Sequence, residues 1–365
     1  MEDEIVELKD PEFMEDDFNE SPPKDIVAFN ELRSCADLAR MEHEGVIDLQ
    51  PDFQRDVVWQ SSDQTRFIDS LIKQLPIPSM CFALDYNKDE WIVIDGLQRM
   101  TAIKKFLAGG DWRLSRLDDI DQRIGGKLSA TFKDSKGDLR KLFDRVQNKT
   151  LPITVLRCDT SKKNHLEYLF TIFHRLNSGG AKLNNQEIRN CIYGGVLNQL
   201  LRDLDQNQDW RRVNNMDAGK NYRYVKQELI LRFFAFLERE EKYGGQVGKF
   251  LNDYMHDNRN PSGEFVDAKK AIFTRTVYQV NSKIFEGVGA DEKVERIPTA
   301  VMEALLVGIA RNIDHVEELS AQDLKNRYAD LRASEHFRDE GVAEGLSKKD
   351  KVTNRMTEAK KIFAN

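Results

Sequence analysis

Four cysteines in 365 residues, Cys35, Cys81, Cys158 and Cys191, form no CxxC pair. That spacing removes a disulfide framework and a zinc site from consideration and reads as free thiols in a reducing compartment. Long apolar runs are absent as well. The stretches that come closest, such as Ala304 to Ile309, fall far short of the roughly 20 residues that cross a bilayer. No basic-then-apolar leader opens the chain, so a soluble cytoplasmic protein is expected. No GxxxxGK[ST] loop occurs, which excludes a standard P-loop NTPase, and neither GxSxG nor a Cys/His pair argues for nucleophilic catalysis. The six histidines show no HExxH or HxxxH spacing. No internal repeat is visible.

What is there begins with charge. Met1 to Pro23 holds ten acidic residues and one lysine, Lys9. Removing them takes the chain from 55 basic and 62 acidic residues to 54 and 52, so the formal charge of −7 belongs to the tail and the body is slightly basic. Residues 1–28 are expected to be an acidic, disordered tail. With 40% hydrophobic residues, the remainder has material for real cores.

The pattern along the body predicts an α+β domain over 29–204 followed by a mostly helical domain over 205–365. Ser34 caps a helix that Gly45 ends, and Val46 to Leu49 is a short strand. Ser61 or Ser62 opens a helix with Phe67, Ile68, Leu71, Ile72 and Leu75 on one face, stopped by Pro76 and Pro78. Met80 to Leu84 and Trp91 to Ile94 read as paired strands, and the helix from Leu97 ends at Gly109-Gly110. Trp112 to Thr150 reads as a less regular insertion or lid. Leu151 to Cys158 is a strand, His165 to Leu176 a helix, and Asn184 with Glu187 a capping box for a helix running towards Asp203. Gln227 to Glu238, Phe265 to Ile284 and Pro298 to Ile313 are the clearest later helices, with others near Leu324 and Thr353.

Three polar clusters fall where regular elements meet, the place where scaffolds present functional side chains. They are Gln54-Arg55, then Asp95-Gly96 with Gln98, Arg99 and Thr101, and then Asn177-Ser178-Gly179-Gly180 with Glu187 and Arg189. In the second, a strand stops at an acidic-glycine turn and a helix begins. The free N–H groups and positive dipole end of such a helix suit an anion. Arginine forks match phosphate oxygens, glutamine can orient water, and Asp95 can hold a metal ion or accept a proton. Ordinary readings stay open beside these. Asp95-Gly96 is also a plain turn, Arg55 and Arg99 also suit ion pairs with Asp52 or Asp69, Asn177 to Gly180 also suits a helix C-cap, and Glu187 also suits a cap. Trp59 is expected to pack on the Phe67 helix, and the Leu229, Ile230, Phe233, Phe234, Leu237 face to be core.

At these residues the chain resembles the DGQQR-motif family, the N-terminal domain of GmrSD-type restriction endonucleases, related to the ParB/sulfiredoxin-like fold. The resemblance rests on Pro51-Asp52-Phe53-Gln54-Arg55 with Trp59, on Ile94-Asp95-Gly96-Leu97-Gln98-Arg99-Met100-Thr101, and on Asn177 to Gly180 with Glu187-Ile188-Arg189. It continues through Glu228 to Asn260. It implies a domain that binds and hydrolyses nucleoside triphosphates to regulate restriction of foreign DNA. Asp95, Gln98 and Arg99 would then act in catalysis, with Gln54, Arg55, Gly96, Thr101, Asn177, Glu187 and Arg189 holding the nucleotide and Mg²⁺ as cofactor. Two departures stand out. Leu97 replaces the first glutamine of DGQQR, which favours binding over hydrolysis unless Leu97 simply faces the core. No HxxP or paired His/Asn set follows in the helices, so DNA cleavage would need a separate nuclease or effector subunit. Two other readings stay open: a ParB-like DNA-binding module without catalysis, and a metal-dependent nicking enzyme using Asp95 and Glu187.

Overall fold

The computed structural model describes residues 21–49, 59–176, 183–217, 222, 224–289, 292–337 and 346–364. These fall into two compact units that divide between Leu183 and Asn184.

The first unit is α+β, as the pattern predicts. Its elements are β1 (Val27–Ser34), α1 (Cys35–His43), β2 (Ile47–Asp48), α2 (Ser61–Ile72), β3 (Met80–Asp85), β4 (Glu90–Asp95) and α3 (Leu97–Ala108). After them come α4 (Ser129–Asp134), α5 (Asp138–Asn148), β5 (Thr150–Cys158) and α6 (Lys163–Leu176). The sheet order is β1-β5-β3-β4-β2. β1 runs antiparallel to β5, with Ser34 opposite Thr150, and β3 runs parallel to β5, with Phe82 opposite Val155. β3 and β4 form an antiparallel hairpin, and β2 joins β4 in parallel.

Period-two alternation on β5 buries Leu151, Ile153 and Val155 in one core with Met100, Ile103 and Phe106 of α3 and Phe67, Ile68, Leu71 and Ile72 of α2. Ser34 caps α1 by accepting from the Asp37 N–H at 3.1 Å, and Gly45 follows that helix at φ +74°. Trp59 lies edge-on to Phe67 at 5.7 Å, as expected. The cap of α2 is Gln60, one residue before Ser61 and two before Ser62.

The stretch 112–150 corrects the expectation of a lid. Leu114, Ile120, Ile124, Phe132, Leu142, Phe143 and Val146 all enter the same core, and Phe106 touches Phe132 and Phe143 at 5.3 and 5.6 Å. Its apolar residues were masked by the charged outer face of the short helix α5. The chain is also anchored before residue 28. Asp25 pairs with Lys162 at 2.5 Å and with His165 Nε2 at 2.9 Å. His165 is fully buried, and its Nδ1 accepts from the Asp159 N–H at 3.0 Å, which leaves the ring proton on Nε2 facing Asp25.

The second unit is helical. It holds α7 (Asn185–Ile192), α8 (Val196–Asp205), α9 (Gln208–Val213), α10 (Val225–Arg239), α11 (Val247–Asp257) and α12 (Gly263–Gln279). α13 (Thr299–Arg311), α14 (Ile313–Glu318), α15 (Ala321–Ala333) and α16 (Lys349–Ala364) complete it. The single helix expected from Asn184 to Asp203 is two helices. The break is at Gly194-Gly195, where a Cβ on Gly195 would lie 2.7 Å from the Arg259 carbonyl oxygen. α7 and α8 therefore pack in the helical unit, upstream of the boundary expected at 204. α13 is buried on every side from Thr299 to Ala310, and Gly308 admits Phe363 of α16, whose ring carbon would sit 2.7 Å from an added Cβ.

Candidate functional site

β4 delivers Asp95 to the end of the sheet, beside an irregularity in its pairing with β3 between Cys81 and Phe82. Such bulges re-aim side chains at a sheet rim. Gly96 then turns the chain at φ +109°, ψ 8°, a backbone conformation that side-chain-bearing residues rarely adopt. A Cβ there would also meet Met80 Cγ at 2.7 Å, so glycine is required twice over. α3 begins at once, and its first N–H groups point back towards Asp95.

Asp95 and Arg99 are one helical turn apart and form an ion pair of 2.5 Å. Arg99 is 13% exposed and Asp95 37%. The guanidinium also donates to the Pro78 carbonyl at 2.5 Å and reaches the Ser79 carbonyl at 3.5 Å. Arg99 therefore ties the entry of β3 to the first turn of α3, a use that sequence reasoning did not foresee. The alternative partners Asp52 and Asp69 are replaced by a nearer one: Asp69 instead pairs with Lys73 at 2.6 Å, and Asp52 lies outside the described residues.

Gln98 Oε1 accepts from the Trp59 N–H at 3.4 Å, linking α3 to the chain that enters α2. Gln64, 2% exposed, donates to the Trp59 carbonyl at 3.2 Å and accepts from Lys105 Nζ at 3.3 Å. Burial holds the Lys105 amine below the ordinary lysine range. Gln64 and Lys105 were not singled out in the sequence, although Lys105 lies two turns beyond Gln98 on the same helix face. Leu97 is half-buried against the core, as its helical period suggested. Thr101 is buried, and its hydroxyl donates to the Leu97 carbonyl at 2.9 Å, so it braces the first turn of α3 from inside. Gln54, Arg55 and Asn177 lie outside the described residues.

Glu187 and Arg189 belong to the helical unit and are each 1% exposed. Glu187 accepts from the Asn184 N–H at 2.6 Å while its own N–H donates to Asn184 Oδ1 at 2.9 Å, completing the expected capping box. Arg189 donates to Asn252 Oδ1 at 2.9 Å and to Glu228 Oε2 at 2.7 Å. Glu228 also takes Arg232 at 2.7 Å, and Arg232 reaches Glu303 at 2.7 Å. Burial alone would raise the Glu228 pKa, but the guanidiniums of Arg232 and Arg189 outweigh it and bring it down to about 2. This network was missed in the sequence. The signal for it was the four-residue spacing of Glu228 and Arg232 on a helix otherwise lined with phenylalanine and leucine. Among the described residues no group of three or more His, Cys, Asp or Glu side chains is placed to hold a metal ion, and the four cysteines carry free thiols.

The first unit is thus an α+β domain with an acid–base pair, Asp95–Arg99, at a strand–glycine–helix junction. Residues 35–194 match the family model described as GmrSD restriction endonuclease, N-terminal domain. The match runs through the Asp95 junction and on through α7. No curated protein matches the chain. No described helix is long and apolar enough to cross a membrane.

Proposed function

We propose that this chain is a nucleoside-triphosphate-binding, and hydrolysing, regulatory subunit of a restriction system that acts against foreign DNA. The observation that carries the reading is the Asp95–Arg99 pair at the N-terminus of α3. At rest the two side chains neutralise each other. A magnesium–triphosphate complex offers each a stronger partner: Asp95 would turn to the metal, and Arg99 would present its fork to the phosphates beside the free N–H groups of α3. A single carboxylate is enough for a metal that takes its other ligands from phosphate and water. Gln98 spends its Oε1 on Trp59, which leaves its amide hydrogens to orient a water. Phosphoryl transfer suits such a site, since positioning and charge neutralisation do most of the catalysis. Gln54 and Arg55, which belong to the first of the three sequence motifs, serve as further phosphate contacts. Leu97 faces the core and takes no part in chemistry. The helical unit carries the contact to a separate nuclease or effector subunit.

The test is a thermal-shift panel of four nucleoside triphosphates with Mg²⁺, followed by turnover measurements on wild type, Asp95→Asn and Arg99→Ala. The expected result is a rise in melting temperature for at least one nucleotide, with turnover lost in both variants. Because Arg99 also holds the Pro78 carbonyl, the melting temperature of Arg99→Ala is measured alongside. No shift with any nucleotide, or equal turnover in all three proteins, would sink the reading.

A further inference from the structure

β1 lies at one end of the sheet and pairs with β5 along one edge; no other strand lies against it among the described residues. Its sequence, VAFNELRS, contains neither the proline nor the lysine that commonly blunts an open edge. It also carries three large apolar side chains in solvent, Val27 at 51%, Phe29 at 38% and Leu32 at 70% exposed. Elsewhere among the described residues the exposed large apolar side chains, Leu75, Leu176, Val196 and Tyr278, are scattered singly. Such an edge is a template for another strand.

We propose that β1 docks a second copy of this chain by antiparallel pairing, β1 on β1, to form one continuous sheet across two protomers. The charge pattern of the strand selects the copy and the register. In an antiparallel pair related by a twofold axis, a residue opposes one on the same face, so odd positions meet odd and even meet even. Centring the axis on Glu31 would set two carboxylates directly against each other, which is destabilising. Centring it on Leu32 sets the most exposed apolar side chain of the strand against its own copy. The same register places Glu31 opposite Arg33 of the other copy twice, and Asn30 opposite Ser34 twice. Within one chain Arg33 already donates to Glu31 at 2.5 Å and to Asp37 at 2.7 Å, so the dimer merges two such clusters into one alternating array. In this register only Asn30 to Ser34 has a strand partner, and two such segments bury less than the roughly 1,200–2,000 Å² of a stable interface. The dimer is therefore weak and dissociates on dilution.

Sedimentation velocity of the full chain, from about 1 to about 300 µM, reads this directly. The expected result is reversible conversion of monomer to dimer as concentration rises. Leu32→Lys, at a position exposed enough not to disturb folding, removes the dimer. Glu31→Arg and Arg33→Glu each weaken association by about tenfold, since two opposite-charge pairs become like-charge pairs. The double exchange Glu31→Arg/Arg33→Glu restores it to within about threefold, because the register again opposes unlike charges. A chain that stays monomeric throughout, a dimer indifferent to Leu32→Lys, or a double exchange no better than either single change overturns the proposal.

Discussion

Replacing Arg189 by methionine separates a structural from a ligand-binding use of this arginine. In the helical unit its guanidinium is 1% exposed and bonds to Asn252 at 2.9 Å and Glu228 at 2.7 Å. Methionine fills much of the same volume, so the packing loss is small. The cost comes from the partners left behind. Breaking a buried ion pair from one side costs about 3–5 kcal/mol. Here Glu228 keeps Arg232 and is itself one-fifth exposed, which lowers that figure, while Asn252 loses a charge-assisted donor, which adds about 1 kcal/mol. We expect a net loss of about 3 kcal/mol. Arg189→Lys should lose about half as much, because an ammonium cannot fork between two acceptors. Urea unfolding followed by circular dichroism measures the loss, and hydrogen exchange of α10 places it in this unit. A loss under about 1 kcal/mol would refute the argument. So would intact stability with the nucleotide-induced thermal shift abolished, which would return Arg189 to the ligand site.

Gly96→Ala should cost about 2–4 kcal/mol, from a positive φ and from the approach to Met80, with the thermal midpoint falling accordingly. Asp205 is buried, and burial raises its carboxyl pKa to about 6 although Trp210 donates to it at 3.2 Å. A folded pKa above the unfolded one contributes stability at low pH that is lost as pH rises through about 6. Asp205→Asn should therefore stabilise by about 3 kcal/mol at pH 7.5 and by about half as much at pH 5, read as a pair of urea curves. For Glu228 the sign is opposite. Its folded pKa of about 2 lies below the ordinary 4.5, so its contribution is full above that value and lost as pH falls. The stability gap between wild type and Glu228→Gln should close between about pH 4.5 and pH 2.

Local periodicity carried most of the fold. The helix capped by Ser34, the β3–β4 hairpin, the Leu97 helix and the capping box at Asn184 are set by neighbouring residues and were legible. Trp112 to Thr150 was not. Its apolar residues are spread over loops and two short helices, so they reveal themselves as core only when they meet Phe106. The parallel pairing of β3 with β5 was equally invisible, since nothing local records which distant strand lies alongside. At the candidate site the junction of Asp95, Gly96 and Arg99 was legible as a motif. The bond from Arg99 to the Pro78 carbonyl was not, because its acceptor is backbone. Arg189 shows the converse. Its place in a motif suggested a ligand contact, and its burial with Glu228 and Asn252 became visible only once α7, α10 and α11 were assembled.

β5 sits between β1 and β3, yet the chain reaches it last, Ser34 meeting Thr150 across the sheet. The hairpin of β3 and β4 can close locally, but β1 has no partner until the chain has passed Thr150. A growing or truncated chain therefore holds β1 as a lone strand with two open edges, and long-range closure of this kind slows folding and invites association. Fragments of the first unit should run through Cys158. Cut any earlier, they lack the strand that makes two half-sheets one.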